Sequence, residues 1–274
     1  MVAVAQSTGP ARTGGAKRMV ALAHSEFTKI RTVRSPYVTL IALIVISAGL
    51  SCLIAWAAGA HWPKESASSR ASFDPTGTSL DGFIIGQLFI AAFGALALTG
   101  EYATGMISAT LTAQPRRIDV YATKALVVAA LSFIAGLITG FISFFACQAI
   151  LASTHAPTAK IGDPGVLRSL IGSGLYLAVA ALFAFGLAAL LRSSAGAITA
   201  AIGLLFVPPL LVNALPTSLN NDVGRWLPSQ AGADLLSPMT QAHQFSAWAG
   251  FGLFCVYTAI LAGAGLMVFN QRDS

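Results

Sequence analysis

Residues 37–58 read YVTLIALIVISAGLSCLIAWAA, a run from Tyr37 to Ala58 without a single Asp, Glu, Lys or Arg. An α-helix rises about 1.5 Å per residue, so a run of this length crosses the roughly 30 Å hydrocarbon core of a bilayer. Five further stretches outward from it have the same character: Gly82 to Gly100, Ala125 to Leu151, Ser169 to Leu191, Ala195 to Leu215 and Ser246 to Asn270. In the fifth, Pro208 and Pro209 remove two backbone donors and must kink or end the helix. The expected fold class is all-α, a polytopic membrane protein with six transmembrane helices.

Composition agrees. The 274 residues are 55% hydrophobic and 9% charged, whereas an ordinary soluble domain is about 25% charged. A soluble fold this size could not cover itself. Cys52, Cys147 and Cys255 each sit inside an apolar run, which offers neither a disulfide framework nor a metal site and reads as small buried hydrophobes. The net charge of +6 does not point to nucleic acid, because the basic residues flank apolar runs instead of forming a stripe interleaved with aromatics. Met1 to Ala16 is rich in Gly, Ala and Thr and reads as a disordered cytoplasmic tail. It lacks the apolar core and cleavage site of a signal peptide. Residues 17–274 read as one transmembrane domain.

Six spans put both termini on one side, and the basic residues choose the side. The N-terminal segment carries Arg12, Lys17, Arg18, Lys29, Arg31 and Arg34; the second-to-third connection carries Arg116, Arg117 and Lys124; Arg192 and Arg272 complete eleven. The other side holds five, Lys64, Arg70, Lys160, Arg168 and Arg225, with six of the ten acidic residues. The excess of Lys and Arg predicts cytoplasmic termini in a bacterial plasma membrane.

Before the first span, Lys17 to Arg34 sorts on a helical wheel into an apolar arc (Met19, Val20, Leu22, Ala23, Phe27, Ile30, Val33) and a polar one. That pattern predicts an interfacial amphipathic helix, broken by Ser35-Pro36 where the chain turns into the membrane. Glu26 breaks the apolar arc, with Lys29 three residues on as its candidate partner. A plain anchor and a mechanical element fit this helix equally.

Motifs for chemistry are absent: no Gly-x4-Gly-Lys-Ser/Thr phosphate loop, no HExxH and no Gly-x-Ser-x-Gly elbow. His24, His61, His155 and His243 fall in separate segments, so a shared metal site is not expected. The six runs hold no Asp, Glu, Lys or Arg, whereas ion-coupled pumps place ionisable groups near the midplane. Gln87, Thr139, Tyr176, Asn213 and Tyr257 read as helix-packing hydrogen bonds, and Gly136 with Gly140 forms a GxxxG pair that favours a close crossing.

The second-to-third connection, 101–117, is longer than a simple turn. It reads Glu101-Tyr-Ala-Thr-Gly105-Met106, passes Thr110, and ends Pro115-Arg116-Arg117. Two readings stand: a segment built to contact something on the cytoplasmic side, or a solvated loop whose arginines set topology.

The sequence resembles the membrane subunits of type-2 ABC transporters. Their pattern is an amphipathic elbow helix with a Glu-x-x-Lys element, then Glu-x-x-x-Gly leading to a Pro followed by Arg after span two. This chain shows Glu26-Phe27-Thr-Lys29, Glu101-Tyr102-Ala-Thr-Gly105, and Pro115-Arg116-Arg117. The resemblance implies that the loop residues Glu101, Tyr102, Gly105, Met106, Thr110, Pro115, Arg116 and Arg117 couple to a separate ATP-binding subunit, with Glu26, Phe27 and Lys29 in the elbow. It implies ATP and Mg in that partner and no cofactor on this chain, no enzyme activity of the chain itself, a second permease copy and export as the direction. It also implies that 216–244 forms a re-entrant outer gate with Trp226 and Pro228, where the residues alone read equally as a plain loop. Gly59 to Asp81 reads as a polar outer loop with no readable task. A stand-alone secondary transporter or channel, or a non-transport membrane scaffold, are the alternatives.

Overall fold

The computed structural model describes residues 34–103, 105, 117–214, 216, 222–239 and 244–271, and the regular structure among them is entirely helical. The helices are α1 (Arg34–His61), α2 (Ala67–Ala71), α3 (Pro75–Leu80), α4 (Phe83–Ala103), α5 (Arg117–Ser153), α6 (Val166–Leu191), α7 (Ser194–Leu205), α8 (Val207–Asn213), α9 (Pro228–Ala233) and α10 (Ala247–Gln271). Two 3-10 turns, Trp62–Lys64 and Asp234–Leu236, complete the order. Six helical stretches are long and apolar enough to cross a membrane, α7 and α8 together supplying the fifth. The all-helical, six-span expectation is what the structure shows. The 1–16 tail and residues 17–33 of the expected elbow lie outside the described residues.

The sequence of α6 explains why it sits at the centre. Gly172, Gly174, Ala180, Ala181, Ala184, Gly186 and Ala188 leave it narrow, so α4, α5, α7 and α10 all pack on it. In its most apolar 18 residues 78% are buried, against 17% for α10. The predicted GxxxG crossing is close: a Cβ on Gly136 would stand 2.7 Å from Gly174 Cα. Ser173 Oγ donates to Gly136 O at 3.1 Å across the same contact. Val38, Ile41 and Val45 on α1 and Val256, Ile260 and Met267 on α10 are exposed, an apolar outer surface that suits lipid.

Two features differ from the sequence reading. Helix α4 runs on from Gly100 through Glu101 to Ala103, and α5 begins at Arg117, before the expected start at Ala125. Charged side chains ended the apolar runs in the sequence, but the backbone hydrogen-bond ladder continues past them. The break expected in the fifth span falls at Phe206, just before Pro208 and Pro209. The second difference is that Gly59 to Asp81 is more than a surface loop. Asp74 caps α3 by accepting from Thr76 N–H at 3.0 Å, and Gln148 Nε2 on α5 donates to Pro75 O at 3.1 Å and Ser79 Oγ at 3.0 Å. The Asp74-Pro75 pair, an N-cap followed by a first-turn proline, was the readable sign.

Within 216–244, α9 and the turn after it are seated among membrane-crossing helices. Ser229 Oγ donates to Leu205 O at 2.6 Å, and Ala231 and Leu235 are fully buried.

Candidate functional site

The described ends of α4 and α5, either side of residues 106–116, carry a connected set of contacts. Lys124 Nζ donates to Glu101 Oε1 at 2.6 Å, and the two side chains are 2% and 7% exposed. Either charge alone in an apolar bundle would cost several kcal/mol, so each is tolerable only because of the other. The pair ties the last turn of α4 to the second turn of α5.

Neighbouring residues extend the tie to the other helices. Ser194 Oγ donates to Thr99 Oγ1 at 2.9 Å, joining α4 to the start of α7. The Arg192 guanidinium lies 5.3 Å from the centre of the Tyr102 ring, a cation–π contact between the C-cap of α6 and the end of α4. Arg192 itself holds φ 52°. Arg117 Nη1 donates to Phe269 O at 3.5 Å, and Tyr121 Oη donates to Ala262 O at 2.8 Å, both joining α5 to α10. The Tyr121 ring packs against Phe185 at 4.9 Å and Phe269 at 5.6 Å. Gly105 turns the chain out of α4 with φ +69° and its N–H donating to Tyr102 O at 3.3 Å, the left-handed exit that glycine takes at least cost.

Of the residues expected from sequence, Glu101, Tyr102, Gly105 and Arg117 therefore stand at one end of the bundle. Glu101 lies in a helix and is buried, not on a loop surface. Met106, Thr110, Pro115 and Arg116 lie outside the described residues, as do Glu26, Phe27 and Lys29. Trp226 and Pro228 stand at the opposite end: Trp226 is half-exposed with its ring 5.1 Å from Phe245, and Pro228 opens α9. Sequence reading used Lys124 and Arg192 only to count charge and missed Tyr121. The signal for Lys124 was a lone base near the start of a helix whose neighbour ends with a lone acid.

Ion pair, rings and carbonyl contacts fix positions; they do not turn over a substrate. The set lies where two spans meet a long connection, and it links those span ends to α6, α7 and α10. Residues 20–274 match the family described as ABC-2 family transporter protein. The chain belongs to that family. It is thus a multi-pass membrane permease of an ABC transporter, and its family implies a partnering ATP-binding subunit. A comparison with curated proteins gives no match.

Proposed function

We propose that this permease is the membrane half of an ATP-driven exporter in a bacterial plasma membrane, with cytoplasmic termini. The ATP-binding subunit, holding ATP and Mg, docks on the connection between Gly105 and Arg117. Two permease copies complete the pathway. The observation that carries the reading is the buried Glu101–Lys124 pair with its ring and carbonyl neighbours. It makes the two ends of that connection one stiff unit, so force applied there reaches three other spans.

Glu101 then serves as a positioning residue behind the docking surface, and residues 106–116 supply the surface itself. The test is a Thr110→Cys variant in the full chain, co-expressed with its ATP-binding subunit. The thiol is expected to react with a membrane-impermeant maleimide only after the membrane is opened, and to be shielded when the ATP-binding subunit is bound. Labelling of intact cells would put the connection outside and end the docking scheme.

A further inference from the structure

At the end of the bundle opposite the Glu101–Lys124 pair, a cavity of 680 Å³ opens between α1, α4, α6, the α7–α8 break and the α9 segment. That volume is within the roughly 300–1,000 Å³ that holds one drug-sized molecule. Its apolar wall includes Phe83, Phe206 and Leu210, and its polar groups include Asp81, Asp234 and Gln87.

The charges in this cavity are not compensated as the pair at the other end is. Neither Asp81 nor Asp234 has a Lys, Arg or His nitrogen within 4.0 Å among the described residues. Arg225 also lines the space, but its guanidinium lies over the rings of Trp226 and Phe245 at 5.7 and 5.8 Å. Asp234 Oδ2 is buried without a hydrogen-bond partner. Burial pushes the Asp234 carboxyl up from 3.8 to about 7, against a lowering hydrogen bond from the Phe245 backbone. Gln87 is 3% exposed, and one end of its amide is held by the Tyr176 hydroxyl, which donates to Oε1 at 2.7 Å. Its amide nitrogen has no partner among the described residues, so a donor is left open to the cavity. An unmet buried group such as the Asp234 oxygen is costly unless something completes it.

We propose that this cavity binds an amphiphile with one cationic head group and an apolar body. The head group lies between Asp81 and Asp234, an acceptor atom meets the Gln87 amide, and the apolar body lies on Phe83, Phe206 and Leu210. A cation there supplies the countercharge that no Lys, Arg or His provides among the described residues. The transport reading matters only for regarding the occupant as cargo; binding itself needs neither ATP nor the partner subunit.

Two rigid ions of the same shape and opposite charge, tetraphenylphosphonium and tetraphenylborate, decide the matter on the purified full chain in detergent. Saturable binding of the cation above that of empty micelles is expected, with the anion failing to compete. An Asp81→Asn/Asp234→Asn variant is expected to weaken the cation by about tenfold or more. The wild-type comparison of the two ions needs no variant, and a single Asp234→Asn substitution repeats the test if the double variant does not fold. Absence of saturable cation binding, equal binding by the variants, or competition by tetraphenylborate would each overturn the proposal. None of these results would touch ATP-driven coupling, which is read by Thr110 labelling.

Discussion

At one end of α4, Glu101 meets Lys124 at 2.6 Å with both side chains shielded. At the other, about 30 Å along the helix at 1.5 Å per residue, Asp81 faces open space with Asp234 and no basic partner within 4.0 Å among the described residues. The same apolar bundle therefore treats its ionisable groups in two ways. A carboxylate paired with an ammonium has its charge neutralised, and what the pair can do is lock two helices. A carboxyl beside a cavity with no basic partner locks little, and its charge can be answered by whatever enters. The paired end is accordingly read as the part that transmits force, and the open end as the part that recognises.

The largest expected effect comes from unbalancing the closed end. Lys124→Met leaves the Glu101 carboxylate buried among apolar helices, a change that costs about 3–5 kcal/mol where a buried pair is broken. Thermal unfolding of the purified chain in detergent is expected to show a large fall in midpoint. Glu101→Gln combined with Lys124→Met removes both charges and is expected to recover most of the loss, because the desolvation cost leaves with the attraction. A double variant as unstable as the single one would show that the pair contributes more than mutual neutralisation, and the contrast between the ends would weaken.

Glycines sharpen the contrast at an intermediate scale. A Cβ on Gly250, in α10 beside the open end, would lie 2.4 Å from Ala231 O and 2.8 Å from Asp234 Oδ2. Gly250→Ala must push α9 away from α10, at about 1–3 kcal/mol for such overpacking. Gly100, in α4 beside the closed end, has nothing within 4 Å of a Cβ among the described residues, so Gly100→Ala is expected to be neutral or to gain up to about 1 kcal/mol of helix propensity. The same unfolding measurement ranks the two. Comparable losses would mean that the α9–α10 contact is looser than it stands here.

The six spans were legible because hydropathy is summed over about twenty residues and survives local exceptions. Where the reading stopped, it stopped at charge. Glu101 and Lys124 lie 23 positions apart, and no local pattern says that they neutralise one another, so each was taken as the edge of a loop while the helices ran on. The α3 helix was passed over for the opposite reason: Asp74-Pro75 marks a helix start, but the six residues of α3 carry too little apolar surface to stand out. The cavity was illegible altogether. Asp81 and Gln87 come from one stretch of chain and Arg225 and Asp234 from another, and only the folding of α9 between α6 and α10 brings them to one space. Gln87 and Tyr176 were read as packing hydrogen bonds; they do bond each other, and the unused half of the Gln87 amide became visible only with the cavity beside it.

The smallest expected effect separates stability from transmission at the closed end. Arg192 caps α6 with φ 52° and ψ 16°, its N–H donating to Ala188 O at 2.9 Å, while its guanidinium stacks on Tyr102. Arg192→Ala keeps an L-residue in the left-handed conformation and loses the stack, at about 0.5–1 kcal/mol for an accessible cation–π contact. Arg192→Gly loses the same stack but relieves about 1 kcal/mol of left-handed strain. The glycine variant is therefore expected to unfold near the wild-type midpoint and above the alanine variant. If Tyr102–Arg192 passes displacement from α4 to α6, both variants lose transport coupled to ATP hydrolysis to a similar degree despite their different stabilities. If the contact only stabilises, transport follows the midpoint and the glycine variant is spared.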